Sequence, residues 1–124
     1  MATKSLVGSI HVLSIPIAIT TSGGTDLVSA VTGKSIKVMS MFAMASAATN
    51  IYFASASSTG DTANMIGGST AKMPPAANGG WVLPWNPAGY GKTALGEKLS
   101  LNQSSTSATI GGTLQYTLED YATT

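Results

Sequence analysis

The sequence predicts an all-β protein, a single antiparallel β-sandwich or jelly roll. Three observations carry that prediction. Apolar residues recur with a period of two in the clearest segments. Clusters of Gly, Pro, Asn and Ser punctuate the chain at short, near-regular intervals, as in SGGT at 22–25, SSTGD at 57–61, GGST at 67–70, PPAANGG at 74–80 and NPAGYG at 86–91. No stretch sustains a helical period beyond two turns. The chain has 124 residues, which suits one domain able to bury about two-thirds of its unfolded surface without disulfides or metals.

Along the chain, residues 9–19 alternate as a strand. Residues 1–25 together read as an N-terminal strand or arm, and 26–124 as the sandwich proper, one domain overall. Val28 to Val31 precede the turn Thr32-Gly33-Lys34, so 27–38 reads as a hairpin. The run SIKVMSMFAMA at 35–45 alternates through Ile36 and Val38 and then becomes apolar on both faces, which predicts the most central strand, with a short helix as the alternative for its Met/Ala-rich end. IYFA at 51–54 and residues 63–67 are further short strands. WVLPW at 81–85 reads as a strand with an edge-type proline. In EKLSLNQ at 97–103, Leu99 and Leu101 point inward. In ATIGGTLQYTLE at 108–119, Ile110, Leu114, Tyr116 and Leu118 share one face, and Gly111-Gly112 mark a bulge or a close backbone approach.

Charged residues make up only 9% of the chain, against about 25% in a typical soluble domain, while hydrophobic residues reach 44%. A surface of hydroxyls and small residues suits packing against copies of the same chain or a larger assembly. All six basic residues are lysines and the net charge is +1, so nucleic-acid binding has no electrostatic footprint and is not expected. No run approaches a membrane span, and residues 6–19 are too interrupted for a signal peptide, so the reading expects no membrane partner and synthesis in the cytoplasm.

The chemical motifs dissolve on inspection. NPAGYGKT at 86–93 imitates a phosphate-binding loop, but Asn86 stands where its leading glycine belongs, and a strand rather than a helix follows Gly96. The Ser69-x-x-Lys72 spacing of serine acyl-transfer enzymes needs a helical turn, which Pro74-Pro75 forbid. His11 is the single histidine and lies in a strand-like run, there is no cysteine, and the carboxylates are scattered, so no catalytic residue, metal or cofactor is expected. Asp61 reads as a turn residue, and the sequon at Asn102 as a strand end. Trp81, Leu83 and Trp85 are expected on one face of a strand, with Tyr90 in the next loop; core plus subunit interface is the favoured reading and a sugar platform the alternative.

The runs TGKSIKVMSM, IYFAS, AANGGWVLPWNPAGYGKTALGEKLSLNQSS and IGGTLQYTL resemble a group of small all-β structural proteins of tailed bacteriophages. The likeness covers about residues 30–118 and rests on Gly33-Lys34, Ala77-Asn78-Gly79-Gly80, Asn86-Pro87, Gly89, Thr93, Gly96-Glu97, Leu99, Leu101-Asn102, Gly111-Gly112, Leu114 and Tyr116; Thr32 departs from the small apolar residue usual there. The resemblance implies a virion protein on the head surface, a decoration or cement protein that binds the major capsid protein and itself, as a homotrimer. Trp81, Trp85, Tyr90 and Lys92 are then the candidate subunit or capsid contacts, with Lys92 facing the shell. A tail, fibre or receptor-binding module reading glycans through Trp81, Trp85 and Tyr90 is the alternative.

Overall fold

The computed structural model describes residues 11–68 and 70–120. Its eight strands are β1 (Leu13–Ile19), β2 (Gly23–Val28), β3 (Lys34–Ala45), β4 (Ile51–Ser57), β5 (Gly60–Ile66), β6 (Gly80–Leu83), β7 (Lys98–Gln103) and β8 (Ile110–Asp120). No helix occurs among the described residues. Two four-stranded antiparallel sheets pack face to face: sheet A in the order β1-β8-β3-β6 and sheet B in the order β2-β7-β4-β5.

The pairs β1·β8, β2·β7, β3·β6 and β4·β5 describe one long hairpin rolled into a barrel-like sandwich, which is the jelly-roll order. Every connection therefore changes sheet except the β4–β5 turn. The hairpin expected over 27–38 is corrected accordingly. The turn itself exists, with Lys34 N donating to Val31 O at 3.1 Å. But β2 and β3 lie in opposite sheets, because Val28 and Ile36 enter the core from opposite sides. Within residues 1–25, read as a strand or arm, β1 pairs with β8 in sheet A, and β2 runs across residue 25. The arm reading of residues 1–10 lies outside the described residues.

The core is the interlayer space. From sheet A come Ile17, Ile19, Ile36, Val38, Met41, Ile110 and Leu114; from sheet B come Val28, Ile51, Phe53, Leu99 and Leu101, all buried. Each of these large side chains contributes about 1.5–3 kcal/mol on burial. Phe53 of β4 meets Trp81 of β6 edge to face, 6.3 Å between centroids at 74°, and so bridges the two sheets. The Trp81 Nε1–H donates to Met41 Sδ at 3.2 Å, which satisfies the indole inside the apolar layer.

Gly111-Gly112 mark a close approach without a bulge: β8 keeps its register there, and a Cβ on Gly112 would meet Ala43 Cα at 2.6 Å and collide with the Phe42 carbonyl oxygen. The bulge lies across the sheet in β3, between Val38 and Ser40, where the inserted Met39 is buried.

Both ends of the sandwich are closed by polar networks. At one, Gln103 accepts from Thr49 Oγ1 at 3.1 Å and donates to Thr21 O at 2.9 Å and Ala108 O at 3.0 Å. At the other, the Glu97 carboxylate accepts from Ser55 Oγ at 2.6 Å and from Thr62 Oγ1. These hydroxyls, Ser55 first, hold Glu97 below its ordinary pKa.

A candidate interaction surface

The stretch NPAGYGKT is a structural edge. Asn86 to Gly89 form a tight turn, Gly89 N to Asn86 O at 2.9 Å, with the Asn86 side chain bonded to Ala88 N and Gly89 O. Gly89 holds φ +83 against the Lys37 stem, where a Cβ would stand 2.7 Å from Lys37 Cγ. Beyond the turn the chain follows β3. Tyr90 N, Thr93 N and Gly96 N donate to Val38 O, Ile36 O and Lys34 O, and Gly91 O accepts from Val38 N. Of the N–H groups that a phosphate would need, those of Tyr90 and Thr93 are bonded to β3 and those of Ala88 and Gly89 to Asn86. The Thr93 hydroxyl, at the position of a metal ligand in a nucleotide site, is buried and accepts the Ile36 N–H at 2.9 Å.

The four expected contact residues go to different places. Trp81 and Leu83 point into the core. Tyr90 packs on the core from the edge, its hydroxyl donating to Pro84 O at 2.6 Å. Trp85 lies past the end of β6 and is 48% exposed, so the expected common face of Trp81, Leu83 and Trp85 is corrected: Pro84 ends the strand before alternation reaches Trp85. Lys92 is exposed at 3.5 Å from Glu119, which Lys37 grips more closely at 2.6 Å. Lys37, and secondarily Lys92, keep the Glu119 carboxyl below its ordinary range.

The residues that sequence reasoning missed lie on the outer face of sheet A. Register aligns three rows across the strands: Ser14–Gln115–Ser40, Pro16–Thr113–Phe42–Val82 and Ala18–Gly111–Met44–Gly80. Phe42 is 54%, Met44 58% and Val82 70% exposed, beside Trp85. A depression of about 360 Å³ opens between Phe42, Val82, Trp85 and Gln115. None of the three rows carries a charge; charges begin in the next row, at Lys37 opposite Thr117, and continue with Glu119 in the row after that. The expectation that the end of β3 is central and covered on both faces is therefore half right: Met41, Ala43 and Ala45 are buried, and Phe42 and Met44 are open.

The opposite outer face, on sheet B, has another character. Tyr52 OH donates to Asp61 Oδ2 at 2.9 Å and Asn102 Nδ2 to the same oxygen at 3.2 Å, while Lys98 pairs with Asp26 at 3.1 Å. These side chains roof Ala54, Ala56 and Ser100, which explains why the outward side of β4 is buried too. Burial, and then the Asp61 carboxylate, raise the Tyr52 phenol above its ordinary pKa. Asp61, expected in a turn, sits at the start of β5. His11 is exposed and borders a shallow depression with Lys37, Thr117 and Glu119, in which the buried Thr117 Oγ1 has no bonding partner. The Ser69-x-x-Lys72 motif has its serine outside the described residues. Among the described residues no group of acidic or histidine side chains is placed to hold a metal ion. Neither a family model nor a curated protein matches the sequence.

Proposed function

We propose that this protein is a bacteriophage structural protein that decorates the outer surface of the head, binding the major capsid protein and other copies of itself, in the trimeric form that the sequence resemblance implies. The observation that carries the reading is the uncharged outer face of sheet A, with Phe42, Met44, Val82 and Trp85 open to solvent on an otherwise well-closed sandwich. Large exposed apolar patches of this kind mark interaction surfaces. The rigid jelly roll supplies the platform, and the resemblance of residues 30–118 to phage structural proteins supplies the setting.

A glycan-reading tail module draws less support. Its platform needs Trp81, Trp85 and Tyr90 on one surface, and only Trp85 among the three is open.

The test is co-sedimentation of the purified protein with matching undecorated capsids, preceded by measurement of its mass in solution. Saturable binding to the particles is the expected result. Protein that stays in the supernatant at every ratio overturns the reading.

A further inference from the structure

We infer that the outer face of sheet A is the surface through which copies of this chain bind one another. This deepens the self-association half of the proposed function and makes no use of the capsid.

Size is the first argument. At 48–70% exposure, Phe42, Met44, Val82 and Trp85 together present on the order of 500 Å² of apolar surface, the scale of a functional patch. The flanking Pro16, Ala18 and Pro84, all exposed, extend the face toward the roughly 800 Å² that each partner contributes to a standard interface.

Charge is the second. Two copies that meet through these rows bring no like charges together, since the rows hold none. The part-buried pair within them is joined by one hydrogen bond, Ser40 Oγ donating to Gln115 Oε1 at 2.7 Å, and the Gln115 amide N–H groups remain to donate across the contact. The sheet B face, with Asp26, Lys98 and Asp61, offers no such surface.

Shape is the third. The projecting Phe42 and Met44 side chains stand beside the depression between Phe42, Val82 and Trp85, so one face carries both a knob and a hole. A surface holding both halves of a contact suits association with its own kind.

The experiment measures mass by sedimentation velocity from about 1 to 100 µM for the wild type, Phe42→Glu, Val82→Glu and the control Ser58→Glu, which adds the same charge at the β4–β5 turn. The expected result is a multiple of the 12.5 kDa chain for wild type and control, and monomer for both face variants, which still unfold cooperatively at a melting temperature that no longer depends on protein concentration. Because the chain has no cysteine, Val82→Cys adds a unique thiol; its labelling by a maleimide is expected to slow at least tenfold in the associated form, which reports on the face without a disruptive charge. A wild type that stays monomeric at 100 µM, or face variants that keep the wild-type mass, overturns the inference. Wild-type monomers that still co-sediment with capsids overturn it while sparing the capsid-binding half of the proposed function, and loss of that binding in the face variants would assign the face to the shell. Monomeric face variants that still bind capsids support both.

Discussion

Replacing Thr93 by Val removes one hydroxyl from the middle of the 86–96 segment and changes almost nothing else in volume. Thr93 is 2% exposed, and its Oγ1 accepts the Ile36 N–H at 2.9 Å. Ile36 is itself fully buried, so water cannot take the hydroxyl's place. Leaving a buried donor unpaired costs about 1–3 kcal/mol. At about 2.1 cal/mol/K of unfolding entropy per residue, 124 residues give roughly 0.26 kcal/mol/K, so the melting temperature should fall by about 4–12 °C. Thr93→Ser keeps the acceptor and should recover most of that loss. Calorimetry on the three proteins decides the matter. A valine variant within about 1 °C of wild type, or a serine variant as impaired as the valine one, refutes the claim that this hydroxyl completes the β3 ladder.

Other expectations follow from the same geometry. Gly112→Ala pushes a methyl into the β3 backbone and should cost about 1–3 kcal/mol, whereas Gly111→Ala, with nothing nearer than Ile17 O at 3.9 Å, should be nearly neutral; urea midpoints compare them. Trp81→Ala should destabilise by about 3 kcal/mol through loss of the contact to Phe53, while Trp85→Ala should shift the monomer's stability by less than about 0.5 kcal/mol. Glu97 and Glu119 have lowered pKa values when folded, so their stabilisation is present above the ordinary carboxylate value of 4.5 and is lost as pH falls through the folded values. Glu97→Gln and Glu119→Gln should therefore each flatten the acid limb of a melting-temperature profile from pH 2.5 to 7, and an unchanged slope counts against the assignment.

The strands that alternate cleanly were legible. Leu99 and Leu101, and Ile110, Leu114, Tyr116 and Leu118, all turn inward as their period requires. Period two assigns a face and says nothing about which layer a strand joins, so β2 and β3 looked like a hairpin although they belong to opposite sheets. The apolar outer residues misled for a related reason. In the sequence, Phe42 and Met44 are indistinguishable from core residues; only the register that lines them up with Val82, Pro16 and Gly111 shows that nothing among the described residues covers them. Trp85 was expected on the face of Trp81 and Leu83 because the period was carried past Leu83, where the strand stops, two residues before the tryptophan. The likeness of 86–93 to a phosphate loop came from residue types, and the hydrogen bonds from Tyr90, Thr93 and Gly96 to β3 are what dispose of it.

The bonding of residues 86–96 along β3 also limits how this protein can polymerise. On that side sheet A ends in an irregular segment, interrupted at Pro84 and Pro87, in place of a long open strand. On the other side, β1 carries Pro16 at its middle, which lacks a donor. In sheet B, register shifts break β2 against β7 and β5 against β4, at the two free margins. Lateral strand addition, the route to fibrils, is thus obstructed on all four margins, even where many copies are crowded together. A protein with so few charges guards against fibril growth by the shape of its edges and leaves the outer face of sheet A free to associate.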